Sequence, residues 1–440
     1  MATRRKSVSK PKVDASAAEP AIELSWHLDE LPSSQHKTGL AGLVLLIKWM
    51  SRKAKARARG VLSVEVDAAC ARVKVDRDGL AWLFDEAYAA ASVDSERDDP
   101  FKGVEPARII EREVVDKKKI DKKTGKPLTR IQKKYVYAIV QPHGALLVEA
   151  DPKGEAGPWI KLWRDFVWSV LRAVPATRAP YNACAAGTDS GEADHAWTAL
   201  TRAVPRAVEL PSTYFVGAQA VTAENVAFKD RERLQFLLHF WPFAVGLSVP
   251  TIVGRDGKPE SIGHVLSFSD IADLEAFCEE YAGVLRSRSP DVLGYLPRQA
   301  VLDLPAEGGL QFLSALRARL LAAEGKKRTR DLVLGVDVFH IQREGYNVRT
   351  RSTTRVEPSE VLQDEYDRIR QNCRDPLFRR QLLRNLLAGR GWTDGFERLF
   401  ATMPASTFLR GRPVDGRFPP QFPFDVQREF KHHYPETSDV

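Results

Sequence analysis

Residues 107–140 read ARIIEREVVDKKKIDKKTGKPLTRIQKKYVYAIV. Ala107 to Val115 alternates around Ile109 and Ile110, and Tyr135 to Val140 is β-branched and aromatic, so each flank predicts a strand. Thr124-Gly125-Lys126-Pro127 carries turn chemistry between them. The stretch therefore predicts a long two-stranded arm. Lys117, Lys118, Lys119, Lys122, Lys123, Lys126, Arg130, Lys133 and Lys134 crowd towards its tip, against only Asp116 and Asp121. Ammonium groups cannot be buried without partners, so this tip must face solvent. It is either a solvated loop or a finger aimed at phosphates, and the rest of the chain favours the finger.

Upstream of the arm, residues 1–21 are rich in Lys, Arg, Ser, Ala and Pro and predict a flexible basic tail. Ile22 to Leu28 alternates at strand period, and Pro32 breaks it. A helix opens near Gln35 and runs to about Lys53, with Ser33 and Ser34 as candidate caps. Gly39, Ala41 and Gly42 on it would let another backbone come close. It ends in a second basic patch of Arg52, Lys53, Lys55, Arg57 and Arg59. Val61 to Val75 predicts two short strands, and Asp76 to Ala91 a helix. Downstream, Pro158 starts a helix whose Trp159, Trp163 and Phe166 read as core. Thr177 to Glu192 reads as loop, Tyr214 to Ala227 resists assignment, and Arg231 to Val245 looks helical. Gly254 to Gly257 is a turn between strands Ser248–Val253 and Ser261–Ser267.

From about Ser269 helices dominate: Asp270 to Arg286, Leu310 to Ala323, Ser359 to Cys373, a helix opened by Asp375-Pro376, and Trp392 to Phe400. A hairpin of Leu332–Gln342 and Tyr346–Val356 interrupts them. The expected fold class is α+β. A mixed α/β domain over residues 22–268 carries the basic arm at 107–140. A helical bundle over 269–403 holds the inserted hairpin 332–356, and 404–440 forms an extended strap.

The chain has 440 residues, 43% hydrophobic and 28% charged, with a net charge of +8, which suits a globular protein leaning towards an anionic partner. Cys70, Cys184, Cys278 and Cys373 are scattered and read as thiols of a reducing, cytoplasmic compartment. No apolar run follows the basic start, so no signal peptide is expected. The longest apolar run, Leu40 to Ile47, falls short of the roughly 20 residues of a membrane span. Phosphate-loop, nucleophile-elbow, His-Asp and H-E-x-x-H motifs are absent, so neither catalysis nor a metal or other cofactor is expected.

Two further basic constellations stand out. Asn347, Arg349, Arg351, Thr353 and Arg355 share one strand face. They could track a sugar–phosphate backbone, or form an exposed face with paired acids. Arg379, Arg380 and Arg384 lie on the helix after Pro376, where a charged outer face is common. Gln35, His36 and Lys37 sit at a helix start, a location suited either to anion contact or to simple capping. Charge spread over both domains fits a protein that follows a long nucleic acid.

Three motifs carry a resemblance: Leu31-Pro32-Ser33-Ser34-Gln35-His36-Lys37-Thr38-Gly39-Leu40-Ala41-Gly42-Leu43; Val336-Asp337-Val338-Phe339-His340 with Asn347-Val348-Arg349 and Arg355-Val356-Glu357-Pro358; and Asp375-Pro376-Leu377-Phe378-Arg379-Arg380-Gln381-Leu382-Leu383 with Gly391-Trp392. Together they resemble the compact large subunit of type I CRISPR Cascade complexes, of the Myxan subtype. The resemblance implies a non-catalytic subunit that binds guide CRISPR RNA, target-flanking duplex DNA and the displaced strand. Its partners would be the backbone, 5′-end-binding and small helical subunits, with a separate helicase–nuclease recruited transiently. The alternative from a different class is a metal-independent CRISPR RNA-processing endoribonuclease using His340 or His36 as general base.

Overall fold

The computed structural model describes residues 20–120, 127–170, 178–209, 229–253, 259–323, 327–345, 347–409 and 421–435. The basic tail falls outside them, as do Lys122, Lys123 and Lys126, the turn at 254–257 and the unassigned stretch 214–227. Strand β1 (Ile22–His27) points Leu24 and Trp26 into the core and pairs antiparallel with β3 (Cys70–Val75), which also pairs with β2 (Leu62–Val66). Helix α1 (Ser34–Lys53) is the centre of the molecule. Leu40 to Ile47 are all buried, because neighbours pack on every side of it. Ser33 caps it, its side chain accepting from the His36 N–H. Helix α2 (Arg77–Ala87) starts at Asp76, whose carboxylate accepts from the Gly79 N–H at 2.7 Å.

Helix α2 stops before Tyr88, and Ala90–Arg97 forms β4 where the sequence predicted the end of a helix. The arm is thus a three-stranded sheet of order β4–β6–β5, with β5 at Arg108–Ile120 and β6 at Pro127–Pro142. Helices α3 (Ala145–Ala150) and α4 (Pro158–Asp165) follow, the latter continuing through a π-turn at Phe166–Val170. The predicted loop Thr177–Glu192 instead contains α5 (Arg178–Ala185), and α6 (Glu192–Leu200) follows. Tyr181 is buried with its ring 5.1 Å from that of Tyr88, so tertiary burial overrides the weak local propensity of an Ala-, Gly- and Thr-rich stretch.

Strands β7 (Ala207–Glu209) and β8 (Lys229–Arg231) pair as a short ribbon. The single helix expected over 231–245 breaks into α7 (Glu232–Gln235) and two 3₁₀ turns, Phe236–His239 and Trp241–Phe243. Pro242 and the approach to α1 explain the break. The carbonyls of Leu237 and Phe240 press against Gly39 and Gly42, where a Cβ would overlap them. The expectation drawn from these small residues is met here.

The largest sheet has the order β10–β9–β11–β15–β16, with β9 at Gly246–Val253, β10 at Pro259–Ser261 and β11 at His264–Ile271. Helix α8 (Leu274–Arg286) covers part of it, capped by Asp273 and not opening at Asp270, which belongs to β11. Short strands β12 (Val292–Leu293), β13 (Leu296–Pro297) and β14 (Val301–Leu302) lead to α9 (Glu307–Ala322) and α10 (Thr329–Leu332). The hairpin β15 (Val333–Glu344) and β16 (Asn347–Val356) pairs along β11, so it extends this sheet. Helices α11 (Glu360–Asn372), α12 (Pro376–Leu387), α13 (Phe396–Thr402) and α14 (Ala405–Phe408) follow. The expected extended strap holds a helix, α15 (Gln421–His433). Phe422 of α15 inserts among Phe378, Phe396, Phe400 and Phe408, and that aromatic burial fixes the helix. The chain is α+β throughout.

Candidate nucleic-acid interface

The arm's register is regular from Arg108↔Val136 to Asp116↔Leu128 and shifts before its last pair, Ile120↔Pro127. Ile109 and Ile131 are more than half exposed, so the strand pair stands uncovered. At its root the cations are matched by acids. Arg108 reaches Asp94 at 2.5 Å and Arg112 reaches Glu96 at 2.8 Å, each across the central strand. Lys134 pairs with Asp98, whose carboxyl that contact holds below its ordinary range, and Lys133 lies 3.5 Å from Glu111 directly opposite it in register. Lys133 and Lys134 are therefore corrected from tip cations to paired residues of the arm's base. Exposed pairs of this kind add little to stability and serve mainly to fix side-chain direction. Backbone placement puts Lys117, Lys118 and Lys119 at the far end of β5 and Arg130 near the start of β6.

The start of α1 is closed by the protein's own acids. Gln35 and His36 are buried. His36 Nδ1 lies 2.8 Å from Ser33 Oγ, and Nε2 lies 2.7 Å from Asp230 Oδ2. Lys37 Nζ donates to Asp270 Oδ1 at 2.6 Å, and Arg355 Nη2 to Asp270 Oδ2 at 2.7 Å. Burial alone would raise the Asp270 carboxyl, but hydrogen bonds from Lys37 and Arg355 hold it below its ordinary value. The expectation of anion contact at Gln35, His36 and Lys37 is corrected. Carboxylates of residues far along the chain already occupy that position.

The hairpin shows the second of the two arrangements its sequence allowed. Arg349 lies 3.2 Å from Glu344, and Arg351 pairs with the same carboxylate and donates to Gln342 Oε1 at 2.9 Å. Arg355 pairs with Asp270 and, at 3.3 Å, with Asp337. The face is a row of neutralised guanidinium groups, because β15 sets an acid or amide beside each arginine of β16.

Helix α12 splits its arginines. Arg379 turns inward: Nη2 donates to Asp303 Oδ1 at 2.9 Å, Nε to Oδ2, and Nη1 to the Cys373 carbonyl at 3.0 Å. Asp303 also meets Arg370 at 3.3 Å, and Arg370 lies 3.2 Å from Glu307, which is fully buried. Arg379 is thus corrected to a core residue. Arg380 and Arg384 form no ion pair with any described residue. The Arg380 guanidinium is held below its ordinary value by burial and by Arg384 beside it, and its Nε is buried without a hydrogen bond.

A third cationic group was not legible as such in the sequence. Lys48 and Arg52 of α1 and Arg286 of α8 line a cleft of about 580 Å³ floored by Leu45, Trp49 and Leu285. None of the three pairs with a carboxylate of a described residue. Glu149 at the rim is engaged by Trp49 Nε1 at 2.8 Å and by Lys53 at 3.4 Å. Only Arg52 drew notice from the sequence, as a helix-end charge; the fold supplies the convergence.

The candidate general bases are both occupied. His340 is buried, its Nε2 2.8 Å from the Ile262 carbonyl, and burial holds its pKa below the ordinary value. His36 is locked between Ser33 and Asp230. Burial pushes the Cys278 and Cys373 thiols up to about 12, which makes them poor nucleophiles. Among the described residues no group of three or more His, Cys, Asp or Glu side chains could hold a metal ion, and no helix is long and apolar enough to cross a membrane.

Two family models cover most of the chain: the Type I-B CRISPR Cas8b N-terminal domain matches residues 61–326, and the Type I-B CRISPR Cas8b C-terminal domain matches residues 333–439. The chain belongs to the Cas8b family, the large subunit of type I-B Cascade. No curated protein matches it. The junction between the two matched segments falls just ahead of β15, so the arm and the α1/α8 cleft lie on the N-terminal side and α12 on the C-terminal side.

Proposed function

We propose that the chain is a non-catalytic subunit of an RNA-guided surveillance complex that grips duplex DNA beside the target with the end of the β5–β6 arm. It holds the displaced strand or the guide through cations that pair with no carboxylate of a described residue, Arg380 and Arg384 on α12 and Lys48, Arg52 and Arg286 at the cleft. In this reading the arginines of β16 and Arg379 organise the fold, and a separate helicase–nuclease recruited to the complex performs cleavage. The compact Myxan-subtype likeness is a finer assignment that rests on the three sequence motifs.

The observation that carries the reading is the arm. The β5–β6 ladder runs to Asp116↔Leu128 and, past a shift in register, to Ile120↔Pro127; Ile109 and Ile131 are exposed, and Lys117, Lys118 and Lys119 lie at that end. Val136 and Tyr137 bury the root of the strand pair, while its end gathers charge that suits phosphates. Lys117, Lys118, Lys119, Lys122 and Lys123 are changed together to alanine in the complex assembled with guide RNA. Duplex affinity is then measured across a salt series. The expected result is weaker binding and a shallower dependence of log K on log salt, by about 0.9 for each phosphate that the lysines no longer neutralise. An unchanged slope refutes the reading.

A further inference from the structure

Beside Trp159, between β9, α8 and α9, lies a cavity of about 350 Å³. Its walls are unlike a leftover packing defect. Tyr281 and Phe312 stack with centroids 5.7 Å apart, and Phe277 extends the stack behind Tyr281 at 5.4 Å. Gly246 allows this arrangement, since a Cβ there would sit 2.7 Å from Phe312 Cδ2. Trp159 is fixed by its own Nε1–H, which donates to the Ser289 carbonyl at 2.9 Å. The Arg288 guanidinium lies 4.4 Å over the Trp159 ring.

Arg288 is the informative residue. It lines the cavity, and its partners are the Trp159 ring and the Tyr281 hydroxyl. It forms no ion pair with a carboxylate of a described residue. Asp151 is near enough to be felt, but both its oxygens are engaged by the N–H groups of Lys153, Trp159 and Ile160, each at 3.0 Å. A largely buried guanidinium without an acid is costly unless an anion arrives to meet it. Gln311 adds a polar edge. Its Oε1 accepts from the Tyr366 hydroxyl at 2.8 Å, which leaves the amide N–H₂ to donate on the cavity wall.

We infer that this cavity binds one nucleotide. The base lies against the Trp159, Tyr281 and Phe312 surfaces, its edge meets Gln311, and its phosphate meets Arg288. Aromatic faces beside a cation free of carboxylate match how unpaired bases are held; the second cation of the lining, Arg319, is already paired with Glu280 at 3.0 Å. The volume is at the small end of the range of about 300–1,000 Å³ for small-molecule sites, enough for one nucleotide and not for a stretch of strand. The nucleotide comes either from a strand, extruded from its stack, or free from solution. The site is separate from the arm, so its test does not depend on the phosphate grip proposed above.

The full-length chain is titrated with AMP, CMP, GMP and UMP by calorimetry, and with a short single strand carrying one 2-aminopurine, whose fluorescence falls on stacking. Ala318 lies on the exposed side of α9 and lines the cavity, so Ala318→Trp fills it while leaving the core packing in place. The expected result is binding by wild type that Ala318→Trp weakens about tenfold or more, with an unchanged unfolding midpoint. Arg288→Gln, whose fold is checked by circular dichroism, should weaken a monophosphate more than the matching nucleoside. Quenching in the strand that Ala318→Trp reduces, without mononucleotide binding, supports the extruded source, and mononucleotide binding alone, weakened by Ala318→Trp, supports the free source. If no mononucleotide binds and the quenching is the same in wild type and Ala318→Trp, the inference is overturned.

Discussion

Replacing Arg379 by methionine separates a structural arginine from a binding one on the same helix. Arg379 gives Asp303 two hydrogen bonds and caps the Cys373 carbonyl with a third. Asp303 is 6% exposed and keeps only Arg370, at 3.3 Å, when Arg379 is removed. Breaking a buried pair by deleting one partner costs about 3–5 kcal/mol, and the surviving Arg370 places this case at the lower end, about 3 kcal/mol. That is about a hundredfold in the ratio of folded to unfolded chain. Methionine keeps the length and apolar stem of the side chain, so a change in packing adds little. Urea unfolding should show the free energy extrapolated to water falling by this amount, with the midpoint lowered in proportion. Below the unfolding transition, the salt dependence of nucleic-acid binding should match wild type. The double change Arg380→Gln and Arg384→Gln should do the reverse, leaving the midpoint within about 0.5 kcal/mol and flattening the salt slope. If Arg379→Met unfolds like wild type and instead flattens the salt slope, the assignment of Arg379 to the core fails.

Gly42→Ala, normally stabilising by about 1 kcal/mol inside a helix, should here destabilise by about 1–3 kcal/mol, because the new Cβ overlaps the Phe240 carbonyl oxygen; thermal unfolding reads the sign. His239 is partly buried beside Phe84 and Tyr88, and burial lowers its pKa from 6.5 to about 4. The unfolded chain therefore takes a proton that the folded chain refuses. Stability is full above about pH 6.5 and declines by about 3 kcal/mol as pH falls to about 4. Stability measured against pH should lose one proton's worth of slope in His239→Gln.

Local signals placed most elements. Ser33 and Asp375 each cap the helix they precede, and the alternation around Ile109 and the β-branched and aromatic run from Tyr135 marked β5 and β6. Elements that owe their form to distant partners were not legible. α5 is helical because Tyr181 meets Tyr88, and α15 because Phe422 meets a ring cluster built from three other helices. The candidate site divides in the same way. Sequence shows where cations cluster along the chain, but pairing is decided between strands and helices. Nothing near Lys37 announces Asp270, and nothing near Arg379 announces Asp303.

That division bears on how such a protein holds a polyanion. A cation already matched by a carboxylate at 2.6–3.5 Å gives little to a phosphate, because the incoming contact must break an existing one. Affinity and salt dependence then come from the unmatched cations. Besides the arm's lysines, six such cations among the described residues are Arg380 and Arg384, Lys48, Arg52 and Arg286, and Arg288 in its aromatic cavity. They lie on α12, on α1 and α8, and just past the end of α8, and they belong to segments far apart in sequence. The paired arginines of β16 fix this spacing, since Arg355 and Lys37 tie the hairpin and the start of α1 to one carboxylate of β11. Cutting that tie with Asp270→Asn should therefore weaken nucleic-acid binding without removing any cation. Asp270→Asn should also lower stability, because two cations lose their shared acid. Unchanged binding in a variant whose stability has fallen would mean that the unmatched cations do not depend on this frame.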